Sequence, residues 1–177
     1  MNNSECSSRA RDRDKALLIG ITYRYPEVDG VDPLSRPHKD VADFRNHLIR
    51  KWRYPEQNIT VMLDKRVDHS MQPTRKNIIR ELRELAKDAQ PGDRRVFYFA
   101  GHCYQIVNRS EEDELDEALL THGHNGEPFD AQGRPLDPDN MPPDDPDRKK
   151  LEGLIVDNEL RNILVDHLPP GVTLVVR

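Results

Sequence analysis

Cysteine is scarce: 177 residues hold two, Cys6 and Cys103. Two thiols make neither a disulfide framework nor the four-ligand set of a structural zinc site. A reducing compartment is the expectation, cytoplasm or nucleus. Long apolar runs are missing as well. None approaches the roughly 18 residues of a spanning helix, so no membrane partner is expected. The first residues, MNNSECSSRARDRD, contain no apolar stretch of the kind a secretory leader needs. Residues 1–14 are therefore expected to form a disordered polar tail. Positive charge is in deficit, with 27 Lys and Arg against 32 Asp and Glu, a net charge of -5. That balance excludes a phosphate-gripping surface, and no nucleic acid partner is expected. Glycine-rich phosphate loops are absent too. No G-x-G-x-x-G follows the first apolar run, and no G-x-x-x-x-G-K-[ST] occurs anywhere. No nucleotide and no organic cofactor is expected.

What remains is enough for one domain with a single core. "KALLIGITY" (15–23) is a continuous apolar run, as in a strand covered on both faces. In "HKDVADFRNHLIRKW", Val41, Phe44, Leu48 and Trp52 share one face of a helix. "NITVML" (58–63) predicts a second strand. "PTRKNIIRELRELAKDAQPG" predicts the clearest helix, capped by Thr74, with Ile78, Leu82, Leu85 and Ala89 inward and Pro91-Gly92 at its end. "RRVFYFA" is a third strand, and 118–121 a short fourth. "DNELRNILVDHL" is a helix capped by Asp157, and "GVTLVVR" a last buried strand. The alternation predicts a doubly wound, mostly parallel α/β sheet flanked by helices, spanning 15–177. Residues 124–150 hold six Pro and six Asp with one aromatic. That composition cannot bury enough apolar surface to offset ordering, so a disordered insert is expected there.

Functional residues of such a sheet lie at the carboxyl ends of its strands. His102 stands there, directly after "RRVFYFAG", where a general base finds both exposure and a fixed backbone. Cys103 does not suit it as a partner. Neighbours on an extended backbone point to opposite faces, whereas a nucleophile and its base must come within about 3 Å. Cys103 reads as a small semi-buried thiol. His122, His124 and Glu127 have zinc-ligand chemistry but lack a fourth donor. Asp113, Asp116, Glu117, Asp157 and Glu159 form an oxygen-rich set of a kind that suits Ca²⁺. Solvated loop plus a helix cap at Asp157 explains the same residues.

"KALLIGITY", "HKDVADF", "PTRKNI", "PGDRRVFYFAGHCYQ", "DELDEAL", "GLIVDNEL" and "LPPGVTLVV" stand in an order and spacing that resembles metacaspases. These are the caspase-fold cysteine peptidases of fungi, plants and protists. The likeness is to the large-subunit region of the fungal type, and it runs from Lys15 to Arg177 apart from the 124–150 insert. It implies a caspase-like fold, incomplete at the carboxyl end. It also implies Ca²⁺-stimulated cleavage of peptides and proteins after Arg or Lys, with a part in programmed cell death. It makes His102 the catalytic base, with backbone N–H groups near Gly101 holding the oxyanion. Asp40 becomes the acid that reads a basic P1 side chain. Asp116 and Asp157 become Ca²⁺ ligands. Asn158 stands where the family has a second Asp, which implies weaker binding. Cys103 stands where the family has Gly.

The family's last strand runs on into Asp-x-Cys-His-Ser-Gly, which holds the nucleophile. A caspase Cys follows its His by about 50 residues. Here 75 residues follow His102, and the 124–150 insert accounts for the excess. The expectation is a chain with a base and part of a pocket whose nucleophile is due just past Arg177. The alternative is an inactive caspase-like module that self-associates or pairs with a full-length peptidase.

Overall fold

The computed structural model describes residues 12–24, 31–65, 68–110 and 114–177. Residues 1–11 of the expected tail, and Asp113 of the acidic set, lie outside them. In chain order the elements are β1 (Lys15–Gly20), α1 (Pro37–His47), β2 (Ile59–Leu63), α2 (Arg75–Ala86), β3 (Arg94–Ala100), β4 (Cys103–Val107), β5 (Leu115–Leu120), α3 (Arg148–Leu151), β6 (Leu154–Val156), α4 (Asp157–Leu164) and β7 (Thr173–Val176).

Four strands form one parallel sheet in the order β2-β1-β3-β7. Side chains alternate across it. Leu17, Ile19 and Phe97 pack with Ile78, Leu82 and Leu85 of α2 and Ile163 and Leu164 of α4. Ala16, Leu18 and Val96 pack on the other face with Val41 of α1, and with Leu48 and Tyr54 beyond it. Helices thus cover both faces, and the mostly parallel α/β class read from the sequence is the one observed. Proline opens α1, where its missing N–H costs nothing. After His47 the helix widens into a π turn over Leu48–Trp52 and stops at Arg53, whose φ is 61°. Thr74 caps α2 by accepting from the Asn77 N–H.

The expected single sheet is in fact two. β4, β5 and β6 make a separate three-stranded antiparallel sheet. The short strand expected at 118–121 begins at Leu115 and is the centre of this second sheet. Its neighbours escaped sequence reading because β6 has three residues and β4 exposes Cys103 and Gln105 on one side. Asp157 is the first residue of α4 rather than its cap; Val156 holds the cap position.

The amino-terminal edge of the parallel sheet is closed by ions. Asp14, 1% exposed, accepts from the Arg94 N–H and guanidinium. Arg95 is also buried. Its guanidinium donates to the Leu85 and Arg13 carbonyls and to Asp93. Asp93 further accepts from the Gln90 N–H and from Arg13.

The 124–150 stretch runs as turns and loop, with little regular structure. Its few apolar groups are used. Leu136 is buried, its N–H donating to Pro128 O and its carbonyl accepting from the Val107 N–H. Arg148 donates to the carbonyls of Pro138, Met141 and Pro142, and Lys150 to that of Phe129. The neck of the excursion is pinned: both the N–H and the hydroxyl of Thr121 donate to Gly153 O, each at 2.9 Å.

Candidate active site

Register decides what meets at the carboxyl edge. Gly20 of β1 is paired with Leu63 of β2 and with Ala100 of β3. The residues just past these three positions therefore converge. They include Thr22 and Tyr23, Asp64, and Gly101 with His102.

His102 sits between the two sheets. Its N–H donates to the Tyr23 hydroxyl at 2.9 Å, and its carbonyl accepts from the Leu120 N–H at 3.0 Å. The ring packs against Tyr23, centroids 4.8 Å apart, and against Tyr104 at 5.8 Å. Nε2 lies 2.7 Å from the backbone carbonyl of Asp32. A carbonyl only accepts, so Nε2 carries the proton and Nδ1 of the neutral ring is left as the base. Gly101 has no room for a side chain: a Cβ there would stand 2.7 Å from the Tyr23 hydroxyl and from the Phe99 ring. Its N–H meets no acceptor among the described residues.

At the end of β2, beside Thr22 and Tyr23, lies an acid the sequence reading passed over. Asp64 has a fully buried side chain. One carboxylate oxygen accepts from the Thr22 N–H, the Thr22 hydroxyl and the Tyr23 N–H at 2.9–3.0 Å. The other meets Nε2 of His38 at 2.5 Å. The signal was available: Asp64 follows the end of β2 as His102 follows β3, at the edge where such sheets work.

Asp40 is in the first turn of α1, two residues from His38. It is half-buried and forms no ion pair among the described residues. It faces Tyr98 of β3, whose phenol is pushed up by burial and then by the Asp40 charge. An acid without a cation among the described residues is chemically able to receive one.

Cys103 opens β4 and forms no hydrogen bond with His102. It is exposed on one side, yet burial of the other raises its thiol. It is not an activated nucleophile. His124 is buried, its ring 5.5 Å from that of Tyr23, and its Nδ1 accepts from the Gly126 N–H. Burial holds the imidazoles of His122 and His124 below their ordinary range. Glu127 accepts from the Tyr104 hydroxyl rather than reaching toward a metal.

Asp116 and Asn158 are brought together. Asp116, 7% exposed, accepts on one oxygen from the amides of Asn108 at 2.8 Å and Asn158 at 3.3 Å. Asp157 is exposed and accepts from the Asn158 N–H. Both amides turn their NH2 groups to the carboxylate, and each also carries a carbonyl oxygen of the type Ca²⁺ accepts. Among the described residues no group of three or more His, Cys, Asp or Glu is placed to hold a metal.

The fold and this edge define a caspase-like α/β domain with a histidine between its two sheets. A family model described as "Metacaspase, peptidase C14 domain" matches residues 14–132. The chain belongs to that family. Metacaspase-1A of Aspergillus niger is 31% identical over 169 residues, covering 94% of this chain and 35% of that protein. Metacaspase-1 of Scheffersomyces stipitis is 31% identical over 173 residues, covering 97% and 35%. The chain therefore spans about a third of the length of these relatives. A crystal structure of protein GSU0716 from Geobacter sulfurreducens superposes with a TM-score of 0.58. It covers 93% of this chain and 48% of that one, at 19% identity, and supports the fold alone. Among the described residues no helix is long and apolar enough to cross a membrane.

Proposed function

We propose that this domain serves cysteine-type endopeptidase chemistry, with His102 as the general base and Asp40 as the reader of a P1 Arg or Lys. One observation carries the reading: the Asp32 carbonyl accepts a hydrogen bond from the His102 Nε2–H and leaves Nδ1 to act. A thiol at Nδ1 gives up its proton and its sulfur attacks the scissile carbonyl. The imidazolium then protonates the leaving amine, and water releases the acyl group. The Gly101 N–H, without an acceptor among the described residues, is a candidate donor to the oxyanion. Asp40, which forms no ion pair among the described residues, offers its carboxylate to a guanidinium or ammonium.

The thiol in this reading is not Cys103. β7 lies parallel to β3, with Phe97 level with Val176, and the pairing continues as the Phe99 N–H donates to Arg177 O. That register, carried further, comes level with Gly101 and His102, so a cysteine on it faces the base. Calcium forms no part of the proposal.

The test begins with the reading frame past the Arg177 codon. Suppose it supplies a cysteine on that register. The encoded protein should then cleave Arg-P1 and Lys-P1 peptides in preference to Asp-P1 peptides. Activity should be lost in His102→Ala, and P1 preference in Asp40→Asn. A folded protein of that kind with no activity sinks the proposal. A stop codon there instead favours a binding module. The outer edge of β7 has no partner strand among the described residues, and Val176 is 57% exposed. Such an edge suits self-association or pairing with a full-length peptidase, and sedimentation of the 177-residue chain reports it.

A further inference from the structure

The Tyr23 hydroxyl closes a circuit around the peptide of His102. It accepts from the His102 N–H at 2.9 Å and donates to Leu120 O at 2.7 Å. The Leu120 N–H returns to His102 O at 3.0 Å. Both peptide groups of His102 are thereby fixed by one phenol and one strand residue. The phenol cannot drift, because Tyr23 is 2% exposed and wedged between the rings of His102 and His124.

Its backbone is unusual as well. Tyr23 has a φ of 57°, in the left-handed region that aromatic residues avoid. Asp64 holds it there by accepting from both the Thr22 and Tyr23 N–H groups. Strain of this kind persists only where the surroundings enforce it, and it gathers at functional sites. A phenol needed only to fill space would require neither the turn nor the two hydrogen bonds.

We propose that Tyr23, set by the Asp64 carboxylate, is a positioning residue that fixes the His102 ring with Nε2 on the Asp32 carbonyl and Nδ1 facing the reaction. The proposal rests on the reading of His102 as the base. Tyr23 touches no substrate in it; it acts through the histidine. Burial pushes the Tyr23 phenol far above its ordinary value, so the hydroxyl keeps its proton and remains a donor.

The experiment is nuclear magnetic resonance on the 177-residue chain, which needs no catalysis. In the native chain the His102 ring should occupy a single χ1 rotamer, with Nε2 as the protonated nitrogen. Tyr23→Phe keeps the ring and deletes only the hydroxyl. In it, His102 amide exchange should rise at least tenfold and the χ1 couplings should average. Core amides such as those of Leu18 and Met62 should keep their protection. His102 couplings and exchange unchanged in a folded Tyr23→Phe protein overturn the proposal. If that variant does not fold, the native chain decides alone: an averaged His102 ring overturns it, and a single rotamer with protonated Nε2 supports it. Peptide cleavage and the Asp40→Asn variant test the peptidase reading separately, so the two fail in different assays.

Discussion

Asp64→Ala should be among the most costly single substitutions in the molecule. The carboxylate is fully buried, and its removal orphans the Thr22 N–H, the Thr22 hydroxyl and the Tyr23 N–H. The Thr22 hydroxyl can rotate to another acceptor; the two N–H groups cannot. Each stranded buried donor costs about 1–3 kcal/mol. Two of them, with the left-handed turn at Tyr23 no longer enforced, place the loss at about 3–5 kcal/mol. For a chain of this size each kcal/mol lowers Tm by about 2–4 °C, so Tm should fall by roughly 6–20 °C. Asp64→Asn is the control. Its amide oxygen still accepts from Thr22 and Tyr23, and its NH2 turns to a His38 nitrogen, so the cost should be about 1–2 kcal/mol. The assay is urea unfolding followed by circular dichroism and by the fluorescence of Trp52. A loss under about 1 kcal/mol in Asp64→Ala would mean that those donors find other acceptors. The view of Asp64 as the floor of the site would then be wrong.

Asp93 gives a pH signature. Burial alone would raise its carboxyl, but the Gln90 N–H and Arg13, with Arg95 behind, outweigh it and hold the group below its ordinary value. Its stabilising effect is therefore complete above the unfolded value of about 3.9 and fades as pH falls through the lower folded value. Asp93→Asn should be less stable than the native chain at pH 7, and the gap should close in acid; a gap constant from pH 7 to pH 3 refutes this. Gly101→Ala should cost about 1–3 kcal/mol by overpacking, since its Cβ meets the Tyr23 hydroxyl and the Phe99 ring at 2.7 Å. A melt unchanged from the native one would show that the turn has slack. Cys103 should alkylate with an apparent pKa above the ordinary thiol value of about 8.5, because burial raises it; a midpoint below 7 in iodoacetamide kinetics would show an activated thiol.

The sequence shows the parallel sheet plainly because its apolar runs are unbroken and α2 keeps a steady stripe through Ile78, Leu82 and Leu85. It shows the second sheet poorly. β4 alternates exposed and buried residues right after a turn, and β6 is too short to carry a period. His102 was legible from its place after a strand. Asp32 was not, because it works through its backbone carbonyl, which any residue type supplies. Asp64 follows the apolar run of β2 with nothing nearby in sequence to mark its partners; the pairing of β1 with β2 brings it to Thr22 and Tyr23. The oxygen-rich set was visible as composition, but composition cannot say that Asn108 and Asn158 would turn amide donors toward Asp116.

The pinned neck of the 124–150 excursion separates two kinds of distance. Thr121 grips Gly153 by two hydrogen bonds, so the strands on either side stay adjacent however much chain lies between. Closing a longer loop costs only with the logarithm of its length, about 0.6 kcal/mol per doubling. This stretch is therefore a place where the gene can lengthen, shorten or accept a foreign segment while β5 and β6 keep their pairing. The number of residues from His102 to β7 is then free to vary, and the register of β3 with β7 measures how near His102 lies to what stands beside it.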